Sequence, residues 1–184
     1  MSDTTVQFDA IHADARAFPM QFSTLHLATS NAQGRAECSY ASFIAVEGDF
    51  LIYVSELAAH TANLLETGLC SAMFIESEAD ARHLFARKRL TLQCAAEECL
   101  PASKEYTQVM TAFTDRFGSV MDILKGLNDF HLIRLRPLRG NFVTGFAKAY
   151  TLEGDELAQV RHRNETGHRG TPASVEPMQE GALQ

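Results

Sequence analysis

The sequence lacks a long apolar segment and a recognisable targeting signal. Its longest apolar runs, such as Phe50 to Val54, are far shorter than the roughly 20 residues that a transmembrane helix needs. The first residues, Met1-Ser2-Asp3-Thr4-Thr5, include no basic region followed by an apolar one, which a signal peptide would have. We therefore expect no membrane insertion and a cytoplasmic location.

The sequence also lacks an excess of positive charge. It carries 16 lysines and arginines against 23 aspartates and glutamates, which gives a net charge of −7 at pH 7. Proteins that bind nucleic acids or anionic membranes in general present a basic surface. We accordingly expect neither as a partner of this chain.

Cysteines are few, and the signature motifs of several enzyme classes are absent. The four cysteines form no C-x-x-C pair and lie in apolar or strand-like stretches, which predicts buried reduced thiols (Cys38, Cys70, Cys94, Cys99). The sequence has no G-x-S-x-G elbow, no G-x-x-x-x-G-K-[ST] loop and no G-x-G-x-x-G fingerprint. Neither H-x₃-H nor H-E-x-x-H occurs, so nothing indicates a dedicated zinc site.

A series of short β-rich segments dominates what is present. They are predicted at Ser23–Ser30, Arg35–Val46, Phe50–Val54, Leu69–Glu76, from Leu90 to Pro101, Phe130–Leu138 and Asn141–Thr151. The first three are joined by short turns, which favours antiparallel hairpins over parallel βαβ units. Because closure removes exposed edges from so many short strands, we predict a mainly β protein with inserted helices and a closed barrel.

Helical spacing and tail composition complete the predicted organisation. Helices are predicted at 8–18, 57–66, 77–86, 103–127 with a break at Gly118, and 155–161. The helix at 77–86 is predicted from the capping-box pattern of Ser77 and Asp80. A single domain is expected over residues 1–170, and a tail rich in Pro, Gly, Ser and Glu, expected to be disordered, over 171–184.

Two groups of residues could bind an anion. Arg87-Lys88-Arg89 forms the most concentrated basic cluster, which suits either a cofactor phosphate or haem propionates, or is simply a solvated helix end. His60 lies on the helix predicted at 57–66 beside Thr61 and Asn63, and a helix start lined with small polar residues can hold a phosphate.

The other histidines differ in their surroundings. The alternation of His131 with Ile133 and Leu135 predicts core burial for His131. By contrast, His162 and His168 lie in or near a polar segment with no apolar pattern, where a histidine is free to bind a metal or haem iron or has no role at all.

Several segments together resemble one known family over about Ser23 to Gly170. They are Leu27-Ala28-Thr29 through Gly34-Arg35, Ser39-Tyr40-Ala41-Ser42-Phe43, Leu84-Phe85-Ala86-Arg87-Lys88-Arg89-Leu90, Asp129-Phe130-His131-Leu132-Ile133-Arg134-Leu135, and Gly145-Phe146-Ala147-Lys148-Ala149. These segments resemble the haem-utilisation branch of the pyridoxamine 5′-phosphate oxidase-like, FMN-binding split-barrel superfamily. The L-F-A-R-K-R-L and D-F-x-L-x-R-L motifs are the specific ones.

This resemblance implies a six-stranded antiparallel split barrel that forms a homodimer, with ligand sites at the subunit interface. It implies that His168 is the axial ligand of haem iron and that Asp129 forms a hydrogen bond with that histidine. It also implies that Arg89 and His60 line the haem pocket. The implied activity is oxidative haem degradation that releases iron and uses O₂ and external electrons.

Two other functions fit the same resemblance. In an FMN-dependent oxidoreductase of this fold, Arg87 or Arg89 would bind the cofactor phosphate together with Ser55, Thr61 and Asn63. A non-catalytic haem carrier or storage protein would use the haem site without degrading its ligand. Relatives commonly carry a basic residue where this sequence has His60-Thr61-Ala62, and its absence counts against FMN more than against haem.

Overall fold

The computed structural model describes residues 3–101 and 103–163 and contains eight strands and four α-helices in these ranges. The helices are α1 (Asp3–Ala17), α2 (Ala59–Thr67), α3 (Lys104–Phe117) and α4 (Val120–Leu124). The strands are β1 (Thr24–Ser30), β2 (Ala36–Val46), β3 (Asp49–Ser55), β4 (Leu69–Ile75), β5 (Arg89–Glu98), β6 (Phe130–Gly145), β7 (Lys148–Glu153) and β8 (Gln159–His162). No helix in these ranges is both long and apolar enough to cross a membrane.

The strands form one antiparallel sheet that closes on itself. Its order is β3-β2-β1-β4-β5-β6-β7-β8, and β3 also pairs with β6. Strand β6 is long enough to pair with β3 through its first half, where Phe130 lies opposite Ser55, and with β7 through its second half. The predicted six-stranded barrel, β1 to β6, is therefore confirmed, and β7 and β8 extend the sheet beyond it.

The turns that connect the first strands follow local chemistry. Glu47 and Gly48 form a two-residue hairpin loop and both have positive φ, 53° and 93°. This conformation matches the twist of the flanking strands, and glycine adopts it without steric cost. In the β1–β2 loop, the Asn31 side-chain oxygen accepts hydrogen bonds from the backbone N–H groups of Gln33 and Arg35, at 3.1 and 2.9 Å.

The hydrophobic core fills the barrel and continues under α3. Inside the barrel, the Phe43, Phe50 and Phe74 rings pack with their centroids 5.1 to 5.5 Å apart. On the outer face of the sheet, helix α3 buries Met110 and Phe113 against β3 and β6. Strand β3 is thus buried on both faces, which accounts for its continuous apolar sequence.

Two predicted helices are wrong. The Ser77 hydroxyl does accept a hydrogen bond from the Asp80 N–H at 3.2 Å, but turns and a short 3₁₀ turn follow instead of an α-helix. Leu84 and Phe85 remain exposed there, so no buried face stabilises a helix whose nucleation is costly. The second wrong prediction is the helix at 155–161. Residues 159–162 instead form β8, because β7 has an open edge on which Leu152 pairs with Val160.

Candidate functional site

Ser55, Asp129 and Thr61 meet where β3 ends and the chain turns into α2. The Ser55 hydroxyl donates a hydrogen bond to the Asp129 carboxylate at 2.5 Å, and the Asp129 backbone carbonyl accepts one from the Glu56 N–H at 2.8 Å. The Thr61 hydroxyl donates to the Ser55 carbonyl at 2.6 Å. These bonds join β3, α2 and the start of β6, and they hold the Asp129 carboxylate in one orientation.

The start of α2 has no side-chain cap. Its N-cap residue, Ala58, has no side-chain oxygen that could accept from the N–H groups of the first helical turn. These N–H groups carry the positive end of the helix dipole. The Thr61 N–H already donates to the Ala58 carbonyl at 3.0 Å, so the donors that this turn leaves for an anion are the N–H groups of Ala59 and His60.

His60 is buried in the first turn of α2 with one ring nitrogen unpartnered. The residue is 7% exposed, and its Nε2 atom is buried with no hydrogen-bond partner among the described residues. Burial lowers the pKa of His60, and the Glu37 carboxylate only partly opposes this. Neutral imidazole is thus favoured. An unpartnered polar atom at this depth is costly unless an ordered water or another group forms a hydrogen bond with it.

Asn63 and Tyr53 are two further polar residues near the Ser55, Thr61 and Asp129 cluster. The Asn63 amide donates to the Thr29 hydroxyl at 2.9 Å, which fixes α2 against β1. Burial, Tyr106 and Asp129 raise the pKa of Tyr53 to about 12, so its phenol stays protonated near neutral pH. Tyr53 was missed by sequence reasoning because it lies within a strand whose apolar residues suggested only a core role.

The basic cluster lies elsewhere and is largely occupied by local contacts. The Arg87 guanidinium donates to the Glu76 carbonyl and to the Glu78 carboxylate. Lys88 forms an ion pair with Asp14 at 2.8 Å, and its ammonium lies over the Phe18 ring. These contacts tie the segment before β5 to neighbouring loops and to α1.

Arg89 is far from the Ser55 cluster along β6. It lies opposite Val143 near the end of that strand, whereas Ser55 lies opposite Phe130 at its beginning. Among residues 3–101 and 103–163, no hydrogen bond or ion pair joins Arg87 or Arg89 to that cluster. The structure thus brings Ser55, His60, Thr61, Asn63 and Asp129 to one region of the chain, and places the two arginines in another. His168 and the tail 171–184 lie outside the described residues.

His131 has a different environment from the predicted one. Its Nδ1 atom lies 2.6 Å from a Glu98 carboxylate oxygen and its Nε2 atom 2.9 Å from a Glu56 oxygen. The hydrogen bonds with Glu98 and then Glu56 raise its pKa. The prediction of core burial was wrong because β6 begins beyond the packed interior, where two carboxylates from β5 and the β3–α2 loop meet the ring.

A separate cavity of about 610 Å³ lies between α1, the β2–β3 turn and residues 154–157. None of the site residues predicted from the sequence lines it. Its buried wall includes Leu90 and Leu92 of β5, and its rim includes Arg16, whose guanidinium contacts the Glu156 carboxylate at 2.6 Å. Local sequence patterns carry no sign of this cavity, because its lining comes from distant segments.

Comparison with known families accounts for the fold. A family model described as pyridoxamine 5′-phosphate oxidase matches residues 11–144, which include the whole barrel except the end of β6. The chain belongs to this family. The chain is also similar to HutZ, a heme oxygenase of Vibrio cholerae. They are 40% identical over 159 residues, which make up 86% of this chain and 90% of HutZ.

Solved structures agree with this assignment. A crystal structure of HutZ from Vibrio cholerae, described as a heme storage protein, has a TM-score of 0.64 and 39% identity; the match covers 68% of this chain and 88% of that one. The crystal structure of Campylobacter jejuni ChuZ has a TM-score of 0.78 and 26% identity, with 93% of this chain and 75% of that one covered. The resemblance to the haem-utilisation branch of this superfamily, which the sequence motifs indicated, is therefore confirmed.

Proposed function

We propose that this protein binds haem and oxidatively degrades it, releasing iron. The observation that carries this proposal is the 40% identity with the heme oxygenase HutZ, extending over 86% of the chain. Haem is a flat apolar macrocycle with two propionate groups. Its binding requires an iron ligand, apolar contacts and hydrogen-bond donors for the carboxylates.

The residues around α2 suit such a ligand. The first turn of α2 has no side-chain cap and leaves the N–H groups of Ala59 and His60 as backbone donors. Leu57, which is 95% exposed just before this helix, offers apolar surface to a planar ligand. These features support an anionic, largely apolar ligand in this region.

Asp129 is the proposed positioning residue for the iron ligand His168. One Asp129 carboxylate oxygen accepts from Ser55, which leaves the other able to accept an N–H from an imidazole ring. Such a bond selects the tautomer that presents its free nitrogen to iron and makes the imidazole a stronger donor. When bound, haem supplies both the redox-active iron and the ring that is opened, with O₂ and external electrons as co-reactants.

A homodimer would unite the two groups of residues that lie apart in one chain. Arg87 and Arg89 are distant along the barrel from the Ser55 cluster, so a second copy of the chain could bring its arginines to the propionates. Large apolar side chains are exposed on both sides of the proposed contact, including Leu57 and Phe85. Their burial would favour association.

Titration with haemin tests the binding proposal. We expect a sharp Soret band that saturates at one haem per subunit and is lost in His168→Ala. His26→Ala, which changes an exposed histidine on β1, is the matched control and should leave the spectrum unchanged. An unchanged spectrum and affinity in His168→Ala would refute the assignment of the iron ligand.

A storage function is the second candidate, since the HutZ crystal structure is described as that of a heme storage protein. Aerobic incubation of the haem-loaded protein with ascorbate separates the two functions. Degradation predicts loss of the Soret band, a biliverdin-like absorption and iron that a ferrous chelator captures. Storage predicts a stable spectrum and no released iron.

FMN binding is the third candidate, because the matching family model describes an oxidase of this fold. Ser55, Thr61 and Asn63 would then lie near the cofactor phosphate. However, the Thr61 hydroxyl and the Asn63 amide already donate to protein oxygens. Fluorescence titration with FMN tests this function, and saturable quenching at micromolar concentration together with weak haem binding would support it over haem.

A further inference from the structure

Two of the four cysteines face each other across neighbouring strands. Cys70 of β4 lies directly opposite Cys94 of β5 in the antiparallel register. Directly opposed residues in antiparallel strands have Cα atoms about 4.5 to 5.5 Å apart and share one face of the sheet. This separation lies within the range of about 4.4 to 6.8 Å found in disulfides.

The two thiols differ in exposure and acidity. The neighbouring Cys94 lowers the pKa of the Cys70 thiol, whereas Cys70 and burial raise the pKa of Cys94, whose thiol donates to the Leu92 carbonyl at 3.8 Å. Cys70 is partly exposed, whereas Cys94 is buried. A thiol that is more acidic and more accessible reacts first with an external oxidant, and a protected neighbour then resolves the product.

The sheet is irregular at this point. The β5–β6 register shifts between Gln93 and Cys94, and Cys94 lies opposite Pro137, which has no N–H to donate. A bulge of this kind disrupts the ladder locally and leaves hydrogen bonds unmade. A rotation of Cys94 toward Cys70 therefore breaks fewer β5–β6 hydrogen bonds than it would in a regular ladder.

We propose that Cys70 and Cys94 form a reversible oxidation site, which closes to a cross-strand disulfide on reaction with a small-molecule disulfide. The Cys70 thiolate attacks one sulfur of the oxidant, which forms a mixed disulfide and releases one thiol. The Cys94 sulfur then attacks the Cys70 sulfur of the mixed disulfide while its proton passes to the departing thiolate, which leaves as the second thiol. Two cysteine thiols are oxidised and one external disulfide is reduced.

The other cysteines lack this arrangement. Cys38 of β2 is exposed and lies opposite Ala28, and Cys99 follows the end of β5 without a cysteine opposite it. The expectation that all four are buried is thus wrong for Cys38, and partial exposure is also found for Cys70 and Cys99. Cys38 can form a mixed disulfide with an oxidant but has no partner cysteine across the strand pair.

Peptide mapping after oxidation of the native protein tests the proposal. The folded protein is incubated with oxidised glutathione and denatured in the presence of excess N-ethylmaleimide, which blocks its remaining thiols; after digestion, the peptides are analysed by mass spectrometry. We expect one peptide pair joined by Cys70 and Cys94, a glutathione adduct on Cys38, and recovery of free thiols after dithiothreitol. Free, alkylated Cys70 and Cys94 alongside a modified Cys38 would overturn the proposal.

Single variants assign the order of attack. Cys94→Ala should accumulate a glutathione adduct on Cys70, because the resolving thiol is absent. Cys70→Ala should leave Cys94 unmodified, while Cys99→Ala, the matched control, should form the same disulfide as the natural sequence. Circular dichroism establishes that each variant is folded, and an adduct on Cys94 rather than Cys70 would reverse the proposed order.

Discussion

Replacing His131 by glutamine should destabilise the protein more in mildly acidic solution than in alkaline solution. His131 bridges Glu98 and Glu56 through both ring nitrogens, at 2.6 and 2.9 Å. Hydrogen bonds to charged groups stabilise by about 1.5 to 3 kcal/mol, and exposed ion pairs by no more than about 1 kcal/mol. Because Glu56 is mostly exposed, we expect a combined loss of about 1 to 2 kcal/mol, or about 2 to 8 °C in Tm.

The sign of the pH dependence follows from the raised pKa of His131 in the folded protein. The unfolded chain has the ordinary histidine pKa of about 6.5. The stabilisation is therefore fully present below about pH 6.5 and is lost as the pH rises through the higher pKa of the folded state. The glutamine variant, which does not titrate, should approach the stability of the natural protein at about pH 9.

Thermal unfolding followed by circular dichroism at about pH 5.5, 7 and 9 measures this difference. Glu98→Gln should reproduce most of the effect, since Glu98 makes the largest contribution to the raised pKa of His131. His26→Gln, at an exposed position on β1, is the matched control. A destabilisation by His131→Gln that stays constant or grows with pH would refute the proposed stabilisation by protonated His131 between Glu56 and Glu98.

Three further substitutions test the packing and the site. Phe74→Ala removes a ring that is 1% exposed from the aromatic core and should lower the free energy of unfolding by about 3 to 5 kcal/mol in urea denaturation. Thr61→Val removes the 2.6 Å bond to the Ser55 carbonyl and should cost about 1 to 3 kcal/mol in the same assay. Lys88→Met removes the Asp14 ion pair and should cost about 1 kcal/mol or less, with a loss that shrinks in high salt.

Matched substitutions control for these effects. Thr111→Val, on the exposed side of α3, makes the same chemical change as Thr61→Val without a buried partner and should cost less than about 0.5 kcal/mol. Ile123→Ala, at a side chain on α4 that is 69% exposed, should leave the stability nearly unchanged. Equal losses in the two threonine variants, or equal losses in Phe74→Ala and Ile123→Ala, would contradict these predictions. A loss in Lys88→Met that does not vary with salt would exclude the ion pair as its source.

The sequence by itself determined those features that depend on neighbouring residues. Alternation in β5 placed Leu90, Leu92 and Cys94 on the buried face, as observed, because successive side chains of a strand point to opposite sides. Gly118 was correctly predicted to divide the helical region into α3 and α4. The specific motifs around Arg87 and Asp129 also sufficed to identify the family and its six-stranded barrel.

Only the tertiary structure decided which distant segments meet. The capping pattern at Ser77 does not reveal that Phe85 has no surface against which to pack, and the alternation of β6 does not reveal that Glu56 and Glu98 enclose His131. The pairing of Cys70 with Cys94 likewise depends on the register of β4 against β5. Each of these features depends on contacts between residues far apart in the chain. Pairing of β3 with β6 closes the barrel and brings these distant segments together.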